Sequence, residues 1–533
     1  MSNTGFLTGG RFSKLTFTHK WKSISVSSCL YMVDRNDNVM ETRSIFGDLR
    51  LDKEYTRLVT SMASSGSAVI NRACDTASAR KAAYRFVNND NVTVQKIMQD
   101  LERQMVDNVE CRGLKEVLVA QDTMETVRED IVGRLQKKGR TVLESVRRQK
   151  GMRSHSAIVM DSATGVPAGF GYLQIWGREP AAPDENEEEC VSTDRRRKPS
   201  YYITDPETGT TRYKYNVPLM ERDSESARWI EAAKAVREEL PDDVHIIMVQ
   251  DREGDMYPLL TLPDELDNLD IVVRAAKKRI VMLPDGTTQD IFSYTSSRKV
   301  RFSYGIRVGK GPRRKGRDAH VSVRYGKLTL RRPHSPVYPR KTVELYFVRV
   351  TEDGDASSCN DKVDWLLLTS MKVVSDDDAR MVVACYRRRW FIEDFHRLLK
   401  KKGFGIEDIQ VEDPHAFEVN LAICIKSAYE VALVKKGFDS GDESIPASMA
   451  FTPLEIHIVS QLNDHFNTPK KIYRNPYEKG SLAWAAWAVA CEGGWSAMPS
   501  QPKPGIITFK RGIDRIENIY QYLLETNSNA ICG

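Results

Sequence analysis

Two four-residue apolar runs, Val117–Ala120 and Ile246–Val249, each give way within two residues to an aspartate, Asp122 and Asp251. Short runs with no polar alternation read as strands covered on both faces, the environment of a parallel or mixed sheet flanked by helices. A carboxylate leaving such a strand stands on a rigid base where loops open to solvent, so the two aspartates can serve one site. Taken singly, either could equally be a turn or helix cap.

The chain around these runs is organised in blocks. From Ser44 to Val109 the pattern is helical, and Arg57, Arg72, Arg80, Lys81 and Arg85 make its polar face basic. That face fits phosphate or groove contact, or an ordinary solvated helix surface. Ala157–Met160 and Gly169–Trp176 read as a hairpin around the Thr164-Gly165 turn, Ser224–Leu240 as a helix, and Ile271–Val273 as a further strand. The loop between them, Pro180 to Ser200, carries the acidic run Asp184 to Glu189. From Ala275 to Asp361 alternating Thr, Val, Tyr and Arg with glycine turns indicate a β-rich insertion, whose basic stretch Lys310–Arg317, with Arg324, Lys327, Arg331 and Arg332, reads as a DNA-facing loop. Trp365–Leu368 returns as a strand. Ser375 and Asp378 then form a capping box for a long helix ending near Lys402 and Gly403. Beyond Asp439 the chain is helical, with Trp484 and Trp487, a Pro499–Pro504 break and a last helix, as in a packing or dimerisation module.

A length of 533 residues exceeds what one core normally fills, and three domains are expected. With 41% hydrophobic and 29% charged residues and no apolar run near the ~20 residues of a bilayer span, a membrane protein is not indicated. Nine scattered cysteines without a C-x-x-C pair suggest neither a disulfide framework nor a zinc knuckle, which fits a reducing cytoplasm. The net charge of +6 says little about a nucleic-acid partner; the clustering of the 79 Lys and Arg says more. The stretch from Met1 to Val33, without acidic residues, is read as an upstream extension with Met32 or Met40 as alternative starts, in preference to a targeting peptide.

At about 100° per residue, Tyr386, Arg389, Glu393 and Lys400 fall within about 60° of one another on the long helix, with His396 beside them. A core-facing stripe would be apolar. This one either forms a solvent-exposed Arg389–Glu393 pair or lines a polar site that handles phosphates.

The segment Tyr386-Arg-Arg-Arg389-Trp-Phe-Ile-Glu393-Asp-Phe-His396-Arg-Leu-Leu-Lys400 resembles the Y-x2-R-x3-E-x6-K signature of bacterial cut-and-paste DDE transposases of the transposon-five type, the insertion-sequence-four group. Gln121-Asp122-Thr123, Asp251-Arg-Glu-Gly-Asp255, Val273-Arg274, Trp365-Leu-Leu-Leu-Thr-Ser370, Ala83-Tyr84-Arg85-Phe86 and Gly480-Ser-Leu-Ala-Trp484 follow in the family's order, so the resemblance runs from about Phe46 to the C-terminus. It implies an α/β fold: a ribonuclease-H-like mixed-sheet catalytic core with a β-rich insertion, flanked by helical N- and C-terminal domains. The expected layout is an extension without stable order over 1–40, a helical DNA-end-binding domain over 41–110, the catalytic core over 111–440 with its insertion at about 275–362, and a dimerisation region over 441–533.

The resemblance further implies that Asp122, Asp251 and Glu393 hold two Mg²⁺ ions, for which Mn²⁺ could substitute. Tyr386, Arg389 and Lys400 correspond to phosphate-holding residues, Trp365 to the aromatic on which a flipped base stacks, and Arg274 to a DNA contact. Arg57 and His396 complete the expected DNA-binding set. Without the resemblance, Trp365 reads as a core aromatic. Implied partners are double-stranded DNA, both transposon ends and target, and a second copy of the chain in a synaptic homodimer, at the bacterial nucleoid. An insertion of Leu51 to Tyr55 departs from the family pattern, so the end sequence recognised can differ. Two competing readings are an inactive DNA-binding or inhibitory derivative and a structure-specific nuclease on the same core; the intact triad speaks against the first, the basic N-terminal helices and Trp365 against the second.

Overall fold

The computed structural model describes residues 31–33, 39–41, 44–127, 151–177, 202–204, 211–213, 219–221, 225–309, 316–333, 337–354, 362–400, 403–411, 413–466 and 474–531. The acidic run at Asp184 and most of the basic stretch, 310–315, lie outside them. Two units emerge: Ser44–Tyr520, and Met1–Arg43 with Gln521–Gly533. In the latter, Tyr31–Val33 pairs antiparallel with Val39–Glu41.

In Ser44–Tyr520 most of the described strands build one mixed sheet, and Tyr202–Thr204 and Thr211–Tyr213 pair apart from it as a two-stranded antiparallel sheet. Strands β1 (Glu116–Val127), β2 (Gly151–Asp161) and β3 (Pro167–Gly177) form an antiparallel meander. On the other side of β1, β4 (His245–Gln250) and β5 (Leu269–Arg274) pair in parallel, giving the order β5-β4-β1-β2-β3. Val117–Ala120 and Ile246–Val249 are fully buried because the sheet is covered on both faces. One face packs on Trp229, Ala232, Ala233 and Val236 of α5 (Arg228–Glu239) and on Met105 and Val109 of α4 (Val94–Cys111). The expected helix over Ser224–Leu240 therefore begins later, after a 3₁₀ turn at Glu225–Ala227.

The β-rich insertion is no separate layer. It comprises β6 (Ile280–Met282), β7 (Thr288–Asp290), α6 (Ile291–Ser296), β8 (Phe302–Val308), β9 (Arg317–Arg331) and β10 (Thr342–Glu352). Strand β11 (Asp364–Thr369) joins β10 to β5, so the insertion prolongs the core sheet in the order β7-β6-β9-β10-β11-β5, with β8 also on β9. Its strand cations are largely paired within the sheet. Arg317 meets Glu352 at 2.7 Å, Lys327 meets Glu344 at 3.1 Å, and Arg324 donates to Thr351 Oγ1 at 3.0 Å.

Helices α1 (Leu49–Ser65) and α3 (Ala77–Val87) start on the caps that the sequence supplies, with Asp48 accepting from Arg50 N and Thr76 from Ala79 N, and the short α2 (Ile70–Ala73) lies between them without a side-chain cap. Phe46, Tyr55 and Phe86 close their small core edge-on, Phe46 lying 5.5 Å from each of the other two rings. This block is fastened to α9 (Pro414–Ser440), a helix buried along most of its length. Asn420 donates to Ala68 O at 3.0 Å, and Lys426 donates to Gln104 Oε1 at 2.6 Å. Gln104 in turn donates to Asp100, which also accepts from Tyr55 OH. A buried polar chain of this kind is satisfied only in one docking pose, so it fixes register between the terminal helices and the core. Helices α10 (Pro453–Phe466), α11 (Leu482–Glu492), capped by Ser481, and α12 (Ile506–Ile531) follow.

At Gly169 of β3 helix α4 comes so close to the sheet that a Cβ there would fall 2.7 Å from Met105 Cα. Gly169→Val should therefore displace α4 and lower stability by about 1–3 kcal/mol, the usual cost of overpacking. Urea denaturation checks this; an unchanged midpoint would show that α4 can shift freely.

Candidate active site

Strand register brings the two aspartates together. In the parallel ladder Ala120 pairs with Val249, and Asp122 and Asp251 each lie two residues further on. They share a level and a face of the sheet. Continuing across, Gln250 pairs with Val273, which puts Arg274 beside Asp251, and Arg274 pairs with Leu367 of β11. Asp122 is not at the end of its strand as expected. Strand β1 continues to Val127 as a partner of β2, with Asp122 opposite Ser156. What ends at Ala120 is the pairing with β4, and that leaves the Asp122 side chain beside an opening.

Above this row run α7 (Asp376–Arg388) and α8 (Trp390–Leu399). The capping box at Ser375 and Asp378 is formed, but the single long helix expected from the sequence is broken at Arg389. There the bonding tightens to i→i+3, from Arg389 N to Tyr386 O at 3.3 Å and from Ile392 N to Arg389 O at 3.1 Å. The break coincides with the burial of the Arg389 side chain, which is 2% exposed, 3.8 Å from Asp251 Oδ2 and in a short ion pair with Glu393. A buried guanidinium needs paired charges on every side. The nearby tyrosine and these two carboxylates outweigh its burial and hold it firmly protonated.

Asp122 is gripped separately. Its Oδ2 lies 3.6 Å from His396 Nδ1 and its Oδ1 accepts from Thr123 N at 2.9 Å. Burial alone would raise its carboxyl, but His396, the Thr123 N–H and the more distant Arg389 reverse the balance and keep it below the usual range. Asp251 accepts from Arg252 N at 2.5 Å as the cap of the turn Arg252–Gly254. Tyr386, 1% exposed, meets Trp365 edge-on at 5.4 Å, and Arg389 lies 5.5 Å from the Tyr386 ring. Arg274 reaches Asp364 O at 3.4 Å. Lys400 caps α8 in extended conformation at the rim. Eight of the ten residues singled out in the sequence thus frame one region, with Lys400 following at the end of α8. Arg57 lies apart in α1, its guanidinium bound to Glu54 and to Ala79 O at 3.1 Å, while Lys81 and Arg85 of α3 point outward.

Three neighbours had escaped notice. Glu253 is a fourth carboxyl, raised by burial and then by the charges of Asp122 and Asp251; its place in Asp251-Arg-Glu-Gly-Asp255 was the available signal. Asp255, fully buried, accepts from Ala276 N and Lys277 N at 2.7 Å each and from Arg279 Nε at 2.9 Å, fixing the loop after Arg274. His155 of β2 bonds Thr123 Oγ1 at 2.8 Å and Gln121 Oε1 at 3.4 Å, bracketing Asp122 from the neighbouring strand. Only strand register reveals it.

Three carboxylates are hard oxygen donors of the kind Mg²⁺ takes. Asp122, Asp251 and Glu393 keep 24%, 35% and 28% of their side-chain surface exposed, so ligand oxygens remain accessible. Among the described residues no three acidic, His or Cys groups stand at metal-binding distances, and Arg389 lies between Asp251 and Glu393. The donor chemistry fits a divalent cation, which would compete with Arg389 for two of its ligands. Arg389 Nε is buried without an acceptor, a donor that an incoming phosphate oxygen can satisfy.

An order of parallel and antiparallel strands with carboxylates at a shared sheet level is consistent with a ribonuclease-H-like nucleic-acid-processing core. Residues 230–429 match the family described as the transposase DDE domain, and residues 41–92 match transposase DNA-binding. Together the two matches support a DDE transposase, a metal-dependent enzyme that cleaves and transfers DNA. Asp251, Glu393 and their partners from Arg274 to Lys400 lie inside the first match, α1 to α3 inside the second, and Asp122 in neither.

Burial holds the His155 imidazole down to about 3 from 6.5. A base with a depressed folded pKa leaves stability intact above its unfolded value and removes it as pH falls toward the folded one. Stability should therefore fall with acid between pH 6.5 and about 3, and His155→Leu should flatten that slope in urea melts; an unaltered slope would locate the acid sensitivity elsewhere.

Proposed function

We propose that this chain is an active cut-and-paste transposase that nicks DNA at transposon ends, forms and resolves a hairpin there, and transfers the freed end into target DNA. The observation that carries the reading is the convergence of Asp122, Asp251 and Glu393 on one face, with a buried Arg389 between two of them. Two Mg²⁺ ions held by these carboxylates would supply Lewis-acid stabilisation of the transferring phosphoryl group and a deprotonated nucleophile, with Mn²⁺ able to replace them.

The protein's own groups do the rest. Arg389, released toward the substrate through its unpaired Nε, and Lys400 at the rim hold phosphate oxygens. Tyr386 supports Trp365 edge-on, so that the indole can receive an unstacked base and stabilise a strained hairpin. His396 keeps Asp122 ionised and oriented. Arg274 lies beside Asp251 and adds a cation to the strand path. The basic α3 surface, Lys81 and Arg85, and the α1 segment containing Arg57 read the transposon end. The protein acts as a homodimer bridging two ends in a synaptic complex at the bacterial nucleoid, the C-terminal helices beyond 441 supplying dimer contacts.

Asp122→Asn, Asp251→Asn and Glu393→Gln should each lower Mg²⁺-dependent cleavage of end DNA by roughly a thousand-fold, about 4 kcal/mol of transition-state stabilisation, while end binding persists. Cleavage surviving in all three would overturn the assignment. Trp365→Ala should retain first-strand nicking but lose most hairpin product on a denaturing gel; equal loss of both steps would assign the ring a purely structural role. Two-substrate assays yielding hydrolysis without strand transfer would favour a nuclease.

A further inference from the structure

The face of the sheet that carries the candidate site continues into the insertion. Opposed residues on neighbouring strands share a face. Trp365 pairs with Val350, Val350 with Val323, and Val323 with Phe302, so Phe302 of β8 stands in the row of Trp365, three strands away. At about 4.8 Å per strand this is roughly 14 Å. Tyr304 follows two residues on, its ring stacked on Phe302 at 5.8 Å and 24°.

Helix α7 crosses this row. Its Arg380 lies 4.3 Å from the Phe302 ring and 5.4 Å from that of Tyr304. Arg387, seven residues on, lies on the same helical stripe, and its charge with that of Arg380 opposes the rise that burial gives the Tyr304 hydroxyl. Both arginines are exposed, and neither forms an ion pair among the described residues. Arg380 forms no ion pair with Asp376 or Asp377, although they lie four and three residues before it, and lies on the aromatic rings instead. Asp376 accepts from Tyr325 OH at 2.9 Å, and Asp378 is used in the helix cap. Lys299 and Arg301, just before β8, are also exposed.

Unpaired guanidinium groups beside half-buried aromatic rings are the combination that tracks a nucleic-acid strand, with cations for phosphates and ring faces for bases. Arg317 and Lys327 of β9 are already paired with Glu352 and Glu344, whereas Arg380 and Arg387 keep their charge free of an ion pair among the described residues. We propose that Arg380 and Arg387 of α7, with Phe302 and Tyr304 of β8, form an accessory cradle for the DNA strand running out from the catalytic centre. At 3.4 Å per nucleotide, the cradle lies roughly four nucleotides from the base that Trp365 receives. The inference rests on the transposase reading for its substrate, whereas the cradle itself is defined by its own residues.

The test is a salt titration of end-DNA affinity by fluorescence anisotropy for the wild type and for Arg380→Ala/Arg387→Ala. Loss of two phosphate contacts should reduce the slope of log affinity against log salt by about 2, at about 0.9 per contact. Arg380→Lys/Arg387→Lys should recover the slope. Tyr304→Ala should weaken binding several-fold with the slope unchanged, and Tyr304→Phe should bind as the wild type does. Duplexes shortened stepwise on the flanking or on the transposon side identify which strand segment occupies the cradle, since the double variant should lose its defect when that segment is removed. Equal slopes and affinities for wild type and the alanine double variant, both with unchanged thermal melting, would overturn the proposal. So would a defect independent of DNA length on both sides. A wild type that binds DNA but never cleaves it would refute the transposase reading and leave the slope comparison valid.

Discussion

The in-register parallel pairing of β1 with β4 is the constraint on which the remainder of the site depends. Two ladder steps beyond Ala120 and Val249, it sets two carboxylates at one level of a rigid sheet. Placing like charges side by side in a partly buried setting is unfavourable unless a cation is shared. Arg389 meets that requirement for Asp251 and Glu393, and His396 for Asp122. The requirement reaches back into local structure. The helical region carrying Arg389 is divided there into two segments, and its third carboxylate comes down from the second.

The same sheet carries both the candidate site and the row that leads to Phe302. Because β11 splices the insertion directly beside β5, side chains from Arg274 to Phe302 project from one continuous face. Helix α7 covers part of it and brings Tyr386 to Trp365 at one end and Arg380 to Phe302 at the other. A ladder of hydrogen-bonded strands deforms less than a loop, so groups along it keep their spacing when a long polymer is drawn across.

Much of this was legible in the sequence wherever a local pattern has a local cause. The apolar runs before Asp122 and Asp251, the Thr164-Gly165 hairpin and the Ser375 capping box have such causes, and the strands, turn and cap are present. Features decided by distant partners were not legible. The continuation of β1 past Asp122 depends on its pairing with β2, and the break at Arg389 on charges from β4 and α8. His155 sits 33 positions after Asp122 and reaches its neighbours only through strand register. The basic run into β9 shows the converse limit. Arg317 and Lys327 looked available in one dimension, yet Glu352 and Glu344 on β10 meet them in three.

The wide separation of the three acidic positions along the chain has a consequence for synthesis. Asp251 follows Asp122 by 129 positions and Glu393 follows Asp251 by 142, with the insertion between the last two. Pairings so remote form late, after most of the loop entropy has been spent. A ribosome must therefore complete some three quarters of the polypeptide before Arg389 and Glu393 exist to join the aspartates. A product that stops between Asp251 and Arg389 carries both strand-borne aspartates but lacks the arginine that neutralises Asp251, the histidine that neutralises Asp122 and the third carboxylate.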